Sequence, residues 1–445
     1  MLSAIEERLD RPTARGLAHA VSRAIGDGVL APGDQLPPIR TVAEQLGLSP
    51  TTVSAAWATL ARSGTIQTRG RRGTVVMERH DVGPSRYRRA LDVGTLFALD
   101  LSTGTPDPEL LPDLRPALRR VERAVQPSRY LDDPVLPALA ELLRADWPFE
   151  PARLMVVDGA MDALQLIVAG HVRFGDRVAV EDPAFPPLLD LLDAVGAAAV
   201  PVGLDDDGPK PADVRDAVDA GSRVLFIQPR AQNPTGASLT EKRVAELARI
   251  LRAADLLVVE DDSAGAVASS AVMSLGQHLP EKTIHVRSFS KSHGPDLRIA
   301  AIGGPARVVD PLVDRRFLGQ GWTSRLLQSV LVDLLTHAPS IRAVERARRT
   351  YAQRRAAIVD VLGAKGVRVG GKDGLNIWVP VRDESAAQLR LAARGIGVAG
   401  GGPFNVRGSK AKHVRVTTGV VRHDHEAIAG LIADAGRGDA WASPR

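Results

Sequence analysis

The sequence predicts an α/β protein in two parts, and three observations carry that expectation. Its 445 residues exceed what one hydrophobic core usually serves. Helix signals followed by a hairpin signal fill the first 77 residues. From residue 151 onward, short β-rich apolar runs alternate with longer helical patterns, as in a buried sheet flanked by helices. A hydrophobic fraction of 44% and a charged fraction of 24% are those of an ordinary globular protein. The formal charge of +5 permits phosphate-bearing partners without demanding them. With no cysteine, disulfides, thiolate zinc sites and cysteine nucleophiles are excluded. No twenty apolar residues occur in a row, and residues 1–10 lack the order of a signal peptide. A cytoplasmic chain with no membrane contact is therefore expected.

In the first part, Leu17, Val21 and Ile25 repeat at helical spacing, and Pro32-Gly33-Asp34 makes a turn. Pro38 opens a short helix carrying Val42 and Leu46, which Gly47 can end in the left-handed conformation. Ser49 is a natural N-cap and Pro50 a natural first helical residue, followed by Val53, Trp57 and Leu60 on one face. Gly64 stops that helix. β-prone residues 65–68 and 74–76 flank Arg69-Gly70-Arg71-Arg72-Gly73, a hairpin with a cationic tip, and residues 61–76 hold no acidic group. A helix-turn-helix with a basic wing places its second helix in the major groove of DNA and its wing on phosphates or in the minor groove. The other reading is a small helical docking domain with a solvated arginine cluster. Residues 78–98 mix Arg, Asp, Gly and Pro without periodicity and read as a linker. Fully extended, about twenty residues span up to roughly 70 Å, which would let the head stand away from its own body.

In the larger part, strands are expected near residues 154–157, 177–180, 224–227, 256–259, 284–286 and 299–302. The unusual residues fall at strand ends, where ligands collect in such folds. Gly159-Ala160-Met161-Asp162 begins a helix whose free N–H groups can hold a phosphate, although a glycine there is often only a turn. Phe185, in Glu181-Asp182-Pro183-Ala184-Phe185, could stack on a flat ligand or belong to the core. Asn233 lies in the rigid loop Pro229-Arg230-Ala231-Gln232-Asn233-Pro234-Thr235-Gly236. Glu260-Asp261-Asp262 ends an apolar run, where a carboxylate is costly unless it meets a cation. Lys291 sits in Ser288-Phe289-Ser290-Lys291-Ser292-His293-Gly294-Pro295-Asp296-Leu297-Arg298. His423 and His425 have no third ligand nearby, so no metal site is expected. The arginine-rich stretch 342–355 reads as a solvated helix face.

In this order, residues 100–430 resemble the aspartate-aminotransferase-like family that binds pyridoxal 5'-phosphate (PLP). The resemblance implies a fold-type-I body with a mainly parallel sheet and a smaller C-terminal α/β subdomain. Under it, Lys291 forms a Schiff base with the cofactor aldehyde. Ser288, Ser290, Arg298 and the backbone of Ala160 and Met161 hold the phosphate, and Phe185 stacks on the ring. Asn233 contacts the ring hydroxyl and Asp261 the ring nitrogen. Tyr130 reaches the phosphate in a neighbouring subunit, and Arg415 grips a substrate carboxylate. A nucleophilic lysine needs desolvation or a neighbouring cation, and Arg298 offers the latter.

The first part resembles the winged helix of GntR regulators, in which Arg40 and Gly73 would touch DNA. Some relatives carry arginines where this chain has Pro50 and Ser54, so Ser49, Thr51, Thr52, Arg69, Arg71 and Arg72 become the expected contacts. The whole resembles the MocR subgroup of that family: winged helix 1–77, linker 78–98, aminotransferase-like body 99–445. This implies a head-to-tail homodimer on double-stranded operator DNA, with a small amine, an amino acid or PLP as effector. A working aminotransferase with a DNA-binding appendage is the alternative. Two departures weigh against it: Ser263 stands where relatives have a tyrosine that bonds the ring hydroxyl, and Val135 where they have glycine.

Overall fold

The computed structural model describes residues 1–62, 65–68, 73–77, 86, 97–124, 129–406 and 411–437. The head holds α1 (Leu2–Glu6), α2 (Ala14–Gly26), β1 (Gln35–Leu36), α3 (Ile39–Gln45), α4 (Pro50–Arg62), β2 (Ile66–Thr68) and β3 (Thr74–Val76). The strands pair antiparallel in the order β1-β3-β2. Local chemistry sets each boundary. Thr13 caps α2 by accepting from Gly16 N, Gly47 turns the chain at φ +64°, and Ser49 Oγ accepts from Thr52 N at 3.1 Å to start α4. Leu17, Val21, Val42, Val53, Trp57, Leu60, Ile66 and Val76 close one core, each burial stabilising by roughly 1.5–3 kcal/mol. The residues at the hairpin tip, Arg69, Arg71 and Arg72, and the expected stop at Gly64 lie outside the described residues.

The body starts at β4 (Leu99–Asp100), followed by α5 (Leu114–Ala124) and α6 (Pro137–Ala145). Next come β5 (Arg153–Val157), α7 (Ala160–His171), β6 (Arg177–Asp182), α8 (Pro186–Ala194), β7 (Ala198–Asp205), β8 (Gly208–Pro209) and α9 (Pro211–Asp219). The central part continues with β9 (Val224–Ile227), α10 (Glu241–Leu251), β10 (Leu257–Asp262), β11 (Thr283–Ser288), α11 (Ser290–His293) and β12 (Ala300–Gly304). These strands form an eight-stranded sheet in the order β5-β12-β11-β10-β9-β6-β7-β8. β7, β6, β9, β10 and β11 run parallel, and β12 is antiparallel to both neighbours. Val224 and Phe226 enter one core and Leu225 and Ile227 another, so the sheet is covered on both faces. That is why its strands read as unbroken apolar runs.

Helices α12 (Ala306–Phe317), α13 (Arg325–Thr336) and α14 (Ala338–Ala364) lead to a smaller α/β unit. It contains β13 (Asn376–Val381), α15 (Glu384–Ala392), β14 (Ile396–Gly397), β15 (Ala399–Gly400), β16 (Lys412–Thr417) and α16 (His425–Arg437). β13 and β15 pair antiparallel with β16, while β14 pairs with β4. The arginine stretch is not uniformly solvated. Arg342, Arg346, Arg348 and Arg349 are exposed, but Arg354 donates to Asp107 at 2.8 Å, and buried Arg355 donates to the Gly370 and Gly371 carbonyls. A 27-residue helix that spans the body cannot keep every face in water.

The head does not stand away from its body. Phe174, in the loop after α7, packs on the head core, with the His19 ring edge-on at 5.0 Å. Arg15 Nη2 meets Asp176 Oδ1 at 3.0 Å. Arg86, within the expected linker, pairs with Asp190 and Asp193 of α8. A free-standing head would leave the α2 surface and Phe174 in water, and docking removes both from it.

Candidate cofactor site

Lys291 lies in α11, directly after β11, half-buried where the two α/β units meet. Burial pulls its amine below the ordinary lysine range, Asp261 opposes this, and Arg415 lowers it further. The nearby cation is thus Arg415. Arg298, expected for this role, points elsewhere: its backbone is left-handed at φ +50°, and Nη2 donates to the Asp158 carbonyl at 3.1 Å.

Asp261, at the end of β10, is 5% exposed, and burial raises its carboxyl above the usual range. Ser263 Oγ donates to its Oδ1 at 2.5 Å and Gln228 Nε2 to its Oδ2 at 2.8 Å. Both hydrogen-bond donors are neutral, so a buried carboxylate is held ready for a cationic N–H. Ser263 therefore orients Asp261, a different task from the ring contact expected at its position. Gln228 also accepts from Asn233 N at 2.7 Å, which ties the carboxylate to the Asn233 loop. Asn233 Oδ1 in turn accepts from Arg415 Nη1 and from Asn376 Nδ2, each at 3.3 Å. Arg415, on β16 and 2% exposed, also donates to the Ser102 carbonyl, and its guanidinium lies 5.0 Å over Phe404. Behind this layer, Glu181 accepts from Gln228 N and Gln232 Nε2, and burial pushes it up to about 8.

At the other end, Gly159 precedes α7 with φ +98°, and a Cβ there would stand 3.4 Å from the Arg298 guanidinium carbon. A helix N-terminus with free amides at Ala160 and Met161 thus faces a guanidinium, with Ser288 and Ser290 on the adjoining turn. Phe185 caps α8 and is half-buried. Tyr130 does not join Lys291 in the same chain. It is 85% exposed, its ring edge-on to Trp322 at 5.6 Å. An anion cradle, a lysine of lowered pKa and a buried carboxylate awaiting a cation fit an aldehyde that carries a phosphate and a pyridine ring.

The pattern of "Aminotransferase class I and II" matches residues 98–432, and that of "Bacterial regulatory proteins, gntR family" matches residues 13–76. Over 406 residues the chain is 34% identical to the vitamin B6 salvage pathway transcriptional repressor PtsJ of Salmonella typhimurium, covering 89% of this chain and 92% of that protein. It is 27% identical over 428 residues to the probable rhizopine catabolism regulatory protein MocR of Rhizobium meliloti, covering 88% and 83%. The chain belongs to the MocR-type GntR regulators. Among solved structures, the α-aminoadipate aminotransferase LysN of Thermus thermophilus, complexed with N-(5'-phosphopyridoxyl)-L-leucine, superposes with a TM-score of 0.69 at 25% identity over 80% of this chain and 94% of that one. The cofactor of this MocR-type regulator is pyridoxal 5'-phosphate.

Sequence reasoning missed Gln228, Glu181 and Ser102 as parts of this regulator's site. Gln228 sits one residue beyond β9 and Glu181 one before the end of β6, so position was the available signal. In the head, Arg40, Ser49 and Thr51 are exposed as expected, and Ser49 Oγ lies 2.7 Å from Thr51 Oγ1 and 2.8 Å from Thr52 Oγ1. Gly73 takes φ +87°, a backbone conformation that favours glycine at this turn of the fold.

Proposed function

We propose that this regulator senses a small amine, an amino acid or PLP itself at Lys291 and reports it to the DNA head through α7 and α8. One observation carries the reading: the head is fastened beyond the far end of one helix, and Arg86 of the following segment to another, and the near ends of both helices border the cofactor site. α7 begins at the Ala160–Met161 cradle and leads into Phe174 and Asp176, which hold α2 of the head. α8 begins after Phe185 and carries Asp190 and Asp193, which hold Arg86. Twelve helical residues at about 1.5 Å each make α7 a rod of about 18 Å. The Arg15 side chain is 52% exposed, and such pairs are worth about 0–1 kcal/mol, so a modest shift in the rod can release or seat the head.

When bound, PLP supplies an aldehyde that condenses with an amine and a ring that withdraws electrons. Lys291 provides that amine, and its lowered pKa favours the neutral nucleophile. Asp261, aligned by Ser263 and Gln228, holds a proton on the ring nitrogen. Ala160, Met161, Ser288, Ser290 and Arg298 receive the phosphate, Phe185 covers the ring, and Asn233 bonds its hydroxyl. Arg415 binds the carboxylate of an amino acid. Arg40, Ser49, Thr51, Thr52, Gly73 and the tip arginines Arg69, Arg71 and Arg72 face operator DNA in the cytoplasm. Tyr130, Leu131 and Leu318 are 85%, 98% and 90% exposed, large apolar side chains that a head-to-tail homodimer would cover. The relative named for vitamin B6 salvage favours a B6 vitamer as signal.

The test uses full-length protein and neighbouring intergenic DNA. PLP should give a visible band that borohydride bleaches while fixing the cofactor covalently to the chain and that Lys291→Ala abolishes, and PLP should change operator affinity measured by fluorescence anisotropy. Arg15→Glu should keep the band and lose the change, and pairing it with Asp176→Lys should restore it. A protein that stays colourless with PLP would sink the reading. Turnover is the second reading, favoured by the retention of Arg415 beside Asn233: rapid amino-group transfer to a keto acid without DNA binding would establish it.

A further inference from the structure

A cavity of about 570 Å³ lies between the end of α6, the loop after β10 and the end of β11. Three arginines border it. Arg230 is committed to Asp262 through two bonds of 2.9 and 2.8 Å. Arg287, 7% exposed, donates Nη1 to Asp146 at 3.1 Å and Nη2 to the Asp146 carbonyl, while its Nε is buried with no hydrogen-bond partner. Arg348 reaches in from α14, exposed and without an ion pair among the described residues. Asp262 and Asp146 offset Arg230 and Arg287, and Asp373, which accepts from Ser269 and Ser270 N behind the wall, also faces Arg355, so Arg348 is the cation of this wall without a carboxylate of its own among the described residues. His293, 3% exposed, bonds Ser292 Oγ through Nδ1 at 2.8 Å, and burial holds it neutral by lowering its pKa to about 4. Leu143 and Leu335 complete an apolar side.

We propose that this cavity is a second ligand site, taking a small organic oxyanion: a carboxylate or phosphate ester on a compact apolar body. The exposed fork of Arg348 offers N–H donors to oxyanion oxygens, Arg287 on the same wall, its guanidinium carbon 4.9 Å over the Trp147 ring, lends positive charge, and the leucines receive the body. A few hundred Å³ is the usual size of a small-molecule pocket. The wall also includes Ser288, Phe289 and His293, which bracket Lys291 in sequence, so an occupant braces the turn that carries the cofactor lysine. Arg230 and Asp262 extend the connection to Asp261. The inference goes beyond the regulatory reading and does not rest on DNA binding.

Calorimetric titration of PLP-loaded full-length protein with succinate and with inorganic phosphate tests it, with visible absorbance followed throughout. At least one probe should bind saturably at one site per chain while the chromophore amplitude stays constant, and Arg348→Ala and Arg287→Gln should each weaken binding at least tenfold. Arg348→Ala removes an exposed side chain, so its fold is safe. The proposal fails if neither probe saturates, if binding displaces PLP, or if both variants bind as the parent does. Failure of the cofactor assignment is seen separately, as a missing chromophore before any probe is added.

Discussion

In the head, Arg40, Ser49 and Thr51 stand in solvent, whereas in the body Asp261, Asn233 and Arg415 are at most 7% exposed. The head offers hydroxyls and a cation to a partner far larger than itself, and its own core is complete without that partner. The body surrounds its ligand with charges that are costly to bury alone, so the ligand is part of its electrostatic balance. The difference explains how one chain can separate reading from sensing. Changes in the head should alter DNA affinity with little effect on the cofactor, and changes in the body should act on the cofactor first.

The sharpest break of that comparison is Lys291→Ala, which should remove the visible band completely while effector-free DNA affinity stays within about twofold; a large loss of affinity would show that the head depends on the lysine. Next, Asp261→Ala should weaken PLP retention by about 3–5 kcal/mol in spectral titration, since the ring nitrogen would lose its buried counter-charge. The buried layer behind it should show in stability. Burial lifts Glu181 from 4.5 to about 8, so between those values the folded chain holds a proton that the unfolded chain has released. Stability should therefore fall as pH rises through that window, by a few kcal/mol at most, and Glu181→Gln should flatten the profile in chemical denaturation. Smallest, Arg40→Ala should cost about 1 kcal/mol of operator binding and lower the salt slope by about one, with the absorbance unchanged.

Legibility followed the same division. Gly47, Ser49 and Pro50 fix helix boundaries through their own backbone preferences, and those boundaries were readable because turn and cap signals are local. The apolar runs 224–227 and 284–286 marked central strands because burial on both faces removes alternation. At the candidate site, Lys291, Asp261 and Asn233 stood out by their neighbours in the chain. Arg415 did not reveal its place beside Asn233 and Lys291, because those relations join distant segments, 182 residues apart for Asn233. Ser263 lies only two residues from Asp261, and its bond was hidden for another reason: which way a serine hydroxyl turns at the end of a strand is set by the packing around it.

By itself the sequence determined a helix-turn-helix head, an α/β body and the residue types a PLP site requires, because propensity, capping and motif spacing act along the chain. Only the tertiary structure decided that Arg415 rather than Arg298 acts on Lys291, and that Arg354 and Arg355 turn inward. It alone docked Arg15 and His19 on the loop after α7. Each of these depends on desolvation and on charges brought close by folding, and neither is encoded in the order of neighbouring residues.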